Sequence, residues 1–144
     1  MKKFYSEARV IYGDTDAMGI VYHNNYIRWF EQGRTEFLRQ IGFPYSELEK
    51  VPFWLPVTYV HCDYKSPGFY DDVLEIAAWP AKMTYATVDI AYEIRRKETG
   101  ELLVTGATGH AMTDDKLKPV RLKKLIPELY AAMTALLEET ADEF

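Results

Sequence analysis

The reactive side chains of this 144-residue chain are concentrated in the segment Tyr12-Gly-Asp14-Thr-Asp16-Ala-Met18-Gly19-Ile-Val-Tyr22-His23-Asn24-Asn25-Tyr26. Two carboxylates, a histidine and three tyrosines stand directly before, or at the start of, a stretch with helical spacing. The start of a helix offers unpaired N–H groups and a partial positive charge. A carboxylate aimed at that position offers a base or a nucleophile. The combination suits acyl transfer or hydrolysis, in which negative charge develops on a carbonyl oxygen. By residue type alone, an aspartate beside a glycine more often caps a turn. The Asp14-x-Asp16 pair could also hold a divalent cation. An EF-hand loop counted from Asp14 fails, because its twelfth position is Asn25 and not glutamate.

The elements that must position these groups follow from hydrophobic period. Across residues 24–40 the apolar positions Tyr26, Ile27, Phe30, Phe37 and Leu38, then Ile41, step by three and four, which predicts an amphipathic helix. Asn24 or Asn25 can cap its start, and Gly42 ends it. Gly33 lies on or near the apolar stripe. A mid-helix glycine costs about 1 kcal/mol against alanine, and close packing against another backbone can recover it. Arg28, Glu31 and Arg34 stand three apart and can pair along one flank. The segments 5–12, 57–62, 73–78, 86–95 and 102–112 alternate with period two and read as strands. Thr99-Gly100 marks a hairpin, while Pro67-Gly68 and Asp71-Asp72 mark a turn. Gly106 and Gly109 interrupt the last strand and predict a bulge or a close backbone approach. Pro127 opens a C-terminal helix over 127–142.

Length and composition favour one domain spanning 1–144. Hydrophobic residues make up 48% of the chain, enough for a packed core, and aromatics 15%, which suits a β-rich one. The net charge of -5 argues against wholesale nucleic-acid binding. Cys62 is the single cysteine, so no intrachain disulfide can form; a reducing, cytoplasmic setting is expected. No apolar run approaches the roughly 18 residues of a membrane span. The element order predicts an α+β fold, an antiparallel sheet of about five strands wrapped around the long central helix. A sheet edge left exposed would pair with a second copy.

The run Tyr12-x-Asp14-Thr15-Asp16-x-x-Gly19-x-Val21-Tyr22-His23-x-x-Tyr26-x-x-x-Phe30-Glu31-x-x-Arg34-x-x-x-Leu38-Arg39 closely resembles the hotdog-fold thioesterases of the 4-hydroxybenzoyl-CoA thioesterase type, in particular their YbgC-like acyl-CoA thioesterase branch. The resemblance continues through Tyr64-Lys65-Ser66-Pro67, Asp72-Val73-Leu74-Glu75 and Asp114 to Pro119. It implies a hotdog fold, a curved antiparallel sheet around a central helix, assembled as a homodimer or homotetramer. It also implies hydrolysis of acyl-CoA thioesters without a metal or a separate cofactor, coenzyme A being part of the substrate. On this resemblance Asp16 is the catalytic carboxylate, assisted by His23 and Tyr12, and the oxyanion donor is a backbone N–H near His23. Gly13 and Met18 depart from the family pattern and bear on acyl-chain preference.

Within that resemblance Asp14 reads as a turn or structural acceptor. A phosphatase-type Asp-x-Asp nucleophile motif fails for want of a threonine at Met18. Tyr22, Asn24 and Tyr26, with the turn Lys65, Ser66 and Pro67, are the candidate substrate-binding residues, and Phe53 or Trp54 are further candidate pocket aromatics. The basic group Lys116, Lys118, Arg121, Lys123 and Lys124, together with Lys65, could hold the phosphates of CoA. His61 and His110 lack metal-ligand spacing and read as structural; Cys62 reads as a small buried residue. Three alternatives stay open: a non-catalytic hotdog acyl-CoA-binding protein, a thioesterase acting on acyl carrier protein, and a metal-dependent hydrolase built on Asp14 and Asp16.

Overall fold

Five strands form one antiparallel sheet in a computed structural model that describes residues 2–142. They are β1 (Phe4–Arg9), β2 (Val57–Tyr64), β3 (Val73–Met83), β4 (Thr87–Arg96) and β5 (Leu102–Ala111), in the spatial order β1-β3-β4-β5-β2. The helices are α1 (Asn25–Gln40), α2 (Tyr45–Leu48), α3 (Leu122–Leu125) and α4 (Pro127–Asp142). The central helix and the five strands are those expected from hydrophobic period. This is the hotdog arrangement, a sheet around a central helix.

Helix α1 buries Tyr26, Trp29, Phe30, Gly33, Phe37 and Leu38 and packs on β1, β3 and β4. Each large apolar side chain so buried contributes about 1.5–3 kcal/mol. The Phe30 ring stacks on Tyr92, centroids 4.4 Å apart and planes 9° from parallel. Gly33 is required here, but by side chains and not by another backbone. A Cβ at Gly33 would lie 2.8 Å from Cγ2 of Ile76. The glycines of β5 do answer a close approach. A Cβ on Gly106 would stand 2.5 Å from both the His61 carbonyl and the Phe30 ring. One on Gly109 would enter the Tyr59 ring, and the β2–β5 register slips beside it, between Val57 and Tyr59.

Several boundaries differ from the pattern reading, each for a physical reason. Strand β1 stops at Arg9 because Tyr12–Asp14 winds into a 3-10 turn held by Asp14. Strand β3 runs on to Met83, absorbing Pro80 where its register with β4 shifts, a tolerated place for a residue without an N–H. The turn at Thr99-Gly100 forms as expected, with Gly100 at φ 76° and its N–H donating to the Arg96 carbonyl. Neither asparagine caps α1 with its side chain. Asn24 is itself helical in φ and ψ, and the first turn is wound by N–H groups of Asn25 and Ile27 donating to the carbonyls of Tyr22 and Asn24. The flank pairing of Arg28, Glu31 and Arg34 does not form. Arg28 reaches Asp14 at 2.7 Å and Arg34 donates to the Tyr92 hydroxyl.

Arg34 opens a buried polar chain. The Tyr92 hydroxyl lies 2.6 Å from Oγ1 of Thr108, which lies 2.7 Å from Nε2 of His110. His110 Nδ1 is 3.1 Å from the Leu55 carbonyl. The hydroxyls of Tyr92 and Thr108 and both ring nitrogens of His110 thus each have a partner, as burial demands. Burial, with the Arg34 charge second, pushes the His110 imidazole down to about 4. His110 is therefore structural, as its strand position implied. His61 instead lies exposed on β2, 2.9 Å from Asp63, and Cys62 is only half-buried.

Candidate active site

The loop between β1 and α1 is built on Asp14. Its carboxylate is buried, accepting the Ile11 N–H through Oδ2 at 3.0 Å and the Arg28 guanidinium through Oδ1 at 2.7 Å. Its carbonyl accepts from the Tyr22 N–H and from the Asn25 side-chain amide, both at 2.8 Å. One residue thus ties the strand exit, the loop return and the helix start together. Beyond it, Thr15 and Val21 form a bridge, and the chain reverses through Asp16–Gly19. The Gly19 N–H donates to the Asp16 carbonyl at 2.9 Å, with Gly19 at φ 80°. That left-handed conformation explains the glycine.

Asp16 is half-buried at this reversal. Its Oδ1 accepts the Met18 N–H at 2.9 Å, an Asx-type turn, and Oδ2 has no hydrogen-bond partner among the described residues. The loop ends at the start of α1. There the backbone N–H groups of His23 and Asn24 likewise donate to no group among the described residues. They are the unpaired donors every helix start exposes.

A second loop closes against this one. The Val21 N–H donates to the Gly68 carbonyl at 2.9 Å, and the Gly68 N–H donates to the Tyr26 hydroxyl at 3.1 Å. A Cβ at Gly68 would sit 3.1 Å from both that hydroxyl and Cγ2 of Val21, so the contact needs glycine or a small retreat. Between the two loops lies an open cleft of about 330 Å³. His23, Tyr26, Lys65, Ser66 and Pro67 line it, with Ile20, Val21 and Tyr64. Five of the nine candidate site residues therefore share one wall system. Asp16 sits one bridge away in the same loop.

The other candidates lie around it. The Tyr22 ring packs on His23 at 4.6 Å, and its hydroxyl accepts the Asn24 side-chain amide at 3.4 Å. Tyr12 is exposed, its ring edge-on to Tyr70 at 5.7 Å, and among the described residues it makes no hydrogen bond to Asp16 or His23. Phe53 and Trp54 lie at the other end of the fold. Phe53 is buried in the core, and Trp54 pairs with Thr113. The basic residues 116–124 follow the far end of β5, whereas Lys65 bonds to Leu103 at its near end. The length of β5 puts about 25 Å between them. Within one chain they do not meet.

Period-two reading overlooked Tyr64. Its hydroxyl donates to the His23 carbonyl at 3.1 Å, and its ring stands edge-on to Tyr26 at 5.8 Å. Desolvation, then the neighbouring Cys62 thiol, pushes the Tyr64 phenol up to about 12, so it stays a donor at neutral pH. The signal was its place at the end of β2, immediately before the Lys65-Ser66-Pro67 turn. Arg28 and Asn25 were also overlooked as the partners that hold Asp14. No group of three or more His, Cys, Asp or Glu side chains among the described residues comes together in metal-binding geometry.

Residues 10–133 match the model of the thioesterase-like superfamily. The chain is 34% identical over 127 residues to a putative acyl-CoA thioesterase, YneP, of Bacillus subtilis, covering 88% of this chain and 91% of that protein. It is 34% identical over 120 residues to the acyl-CoA thioester hydrolase YbgC of Escherichia coli O6:H1, covering 82% and 88%. A solved DHNA-CoA thioesterase from Staphylococcus aureus superposes with a TM-score of 0.94 at 31% identity, over 100% of this chain and 97% of that one. The chain thus belongs to the thioesterase-like superfamily and carries its hotdog fold, with the Asp16 loop at the start of the central helix.

Proposed function

We propose that this thioester hydrolase acts on acyl-CoA, releasing a carboxylic acid and free CoA, with Asp16 as the reactive carboxylate. One observation supports the reading above others. The free Oδ2 of Asp16 and the unpaired N–H groups of His23 and Asn24 belong to one short loop at the edge of an open cleft. In the proposed reaction the thioester carbonyl oxygen lies against those N–H groups. Asp16 either removes a proton from the attacking water and passes it to the departing thiolate, or attacks the carbonyl carbon to form a mixed anhydride that a water then hydrolyses, freeing the acid and restoring the carboxylate. Thiolate leaves in both routes, and the oxyanion is held by backbone donors; loss of one oxyanion-hole donor in other hydrolases costs about 3–4 kcal/mol. His23 and Tyr22 then border the reacting group. Tyr26, Lys65, Ser66 and Pro67 flank the pantetheine arm, and Tyr12 assists only if substrate draws it in. No metal or separate cofactor takes part in this scheme.

The proposal includes assembly as a homodimer through β2. Strand β1, the opposite edge, is capped: the carbonyls of Tyr5 and Glu7 accept side-chain amides from Gln40 and Gln32. Strand β2 has no such cover among the described residues, and it exposes Val57, Tyr59, Val60 and Tyr64, an edge that invites pairing. A two-fold partner laid antiparallel along it would wall the cleft beside Tyr64. A reducing, cytoplasmic location suits the lone thiol of Cys62.

Thiol release from a panel of short, long and aromatic acyl-CoAs tests the function. Turnover of at least one, undiminished by a chelator, is expected. Tight binding of every ester without thiol release would replace hydrolysis by acyl-CoA binding. Loss of activity with the chelator would point to the Asp14 and Asp16 metal alternative. Preference for acyl carrier protein in direct competition would reassign the carrier. Sedimentation should give the mass of two chains.

A further inference from the structure

A second cavity, also of about 330 Å³, lies at the opposite end of the central helix from the Asp16 loop. The 16 residues of α1 separate the two ends by about 24 Å. The cavity sits between the β3–β4 turn and the chain leading into α4. Its floor is apolar and adaptable, made of Met83, Met112 and Leu122. The same three residues also border a small apolar void of about 20 Å³ reaching inward to Phe53, Leu129 and Met133. Its mouth is cationic, with Arg121, Lys123 and Lys124. None of the three pairs with a carboxylate among the described residues, in a chain whose net charge is -5. Two of them are instead held over rings that wall the cavity. The Arg121 guanidinium lies 4.2 Å from the Tyr85 centroid, and the Lys123 ammonium 5.7 Å from that of Tyr130.

We infer that this cavity is a second ligand site, for an amphiphilic carboxylate such as a medium-chain fatty acid, with its head on Arg121 and Lys124 and its tail over Met83 and Met112. The chemistry is complementary at both ends. Unpaired cations favour an anionic head, and a methionine floor above an apolar void receives an alkyl chain better than a sugar or a phosphate. The volume lies at the lower end of the range for small-molecule sites. A nucleotide would use the cations and rings but leave the floor and void unfilled. The site is independent of the thioesterase reading, since occupancy requires no thioester chemistry.

The methionines make the test direct. In protein carrying methyl-labelled methionine, Met83 and Met112 report the second cavity and Met18 reports the Asp16 loop. Titration with decanoate is expected to shift the Met83 and Met112 methyl signals to saturation, with a curve independent of any change at Met18. In the variant Arg121→Gln with Lys124→Gln the same shifts should need about tenfold more decanoate or beyond, the loss expected for charge-assisted hydrogen bonds. The ligand-free methionine spectrum of the variant shows that it is folded. Decanol, with the same tail and no charge, should bind as weakly to the parent as decanoate does to the variant. Shifts confined to Met18, an unchanged affinity in the variant, or equal affinity for decanol would each overturn the proposal. Matching shifts from adenosine 3′,5′-bisphosphate would overturn it too, by assigning the cations to the nucleotide end of CoA.

Discussion

Replacing Asp14 with alanine separates the two acids of the loop by their roles. Asp14 is buried and holds two donors from different parts of the chain. Its bond from the Ile11 N–H is a charged hydrogen bond, in the range of about 1.5–3 kcal/mol. Its pair with Arg28 counts for less, because the Arg28 side chain is 56% exposed; about 0.5–1 kcal/mol is appropriate there. Ile11 is itself exposed, so water can rescue part of the first loss. The sum is about 2–3 kcal/mol for Asp14→Ala. Asp14→Asn, which keeps one acceptor oxygen, should cost about 1 kcal/mol. Urea unfolding at pH 7 and one fixed protein concentration measures both, since an oligomer's stability depends on concentration. Thiol release should fall in step with stability, and Asp14→Asn should retain much of it. An Asp14→Asn protein as stable as the parent but inactive would refute the reasoning, by making Asp14 the reacting group.

Three other outcomes follow from the same geometry. The His110 imidazole titrates near 4 when folded and at 6.5 when unfolded. The unfolded chain therefore binds more protons between those values, so stability should fall by about 3 kcal/mol as pH drops from 6.5 to 4. His110→Gln should flatten that part of a pH-stability curve, and an unchanged slope would remove His110 from it. Gly106→Ala should destabilise by about 1–3 kcal/mol or prevent folding, because its Cβ would meet backbone at His61 and a fixed ring at Phe30. A thermal midpoint like that of the parent would contradict that packing. Tyr64→Phe removes the hydroxyl that holds the His23 carbonyl. About a tenfold fall in kcat/KM, equivalent to 1.4 kcal/mol, with little change in unfolding is expected.

The central helix was legible because five of its seven predicted apolar or glycine positions are buried on one side, at the steps that a buried stripe requires. The strands were legible from period two, and the hairpin from Thr99-Gly100. Strand ends were not, since they depend on single tertiary contacts. The exit of β1 is set by Asp14 reaching Ile11, and the length of β3 by a bulge at Pro80. Trp29 was missed because three- and four-residue steps from Tyr26 allow either Trp29 or Phe30, and both are buried. In the site, the loop from Asp14 to Tyr26 was visible as a motif. Its partners Arg28, Tyr64 and Gly68 were not, because 14 to 47 residues separate them from the groups they hold. The basic segment 116–124 shows what charge and order leave out within one chain. Charge and order along the chain joined it to Lys65, while the sheet places the two at opposite ends of β5.

The most direct test of the account is thiol release by Asp16→Asn. The asparagine oxygen can still accept the Met18 N–H that Asp16 accepts at 2.9 Å, so the loop should keep its turn and the protein its urea midpoint within about 0.5 kcal/mol. A fall of a hundredfold or more in kcat, on the order of 3 kcal/mol, at unchanged stability is expected. Unchanged turnover in a folded Asp16→Asn protein would contradict it.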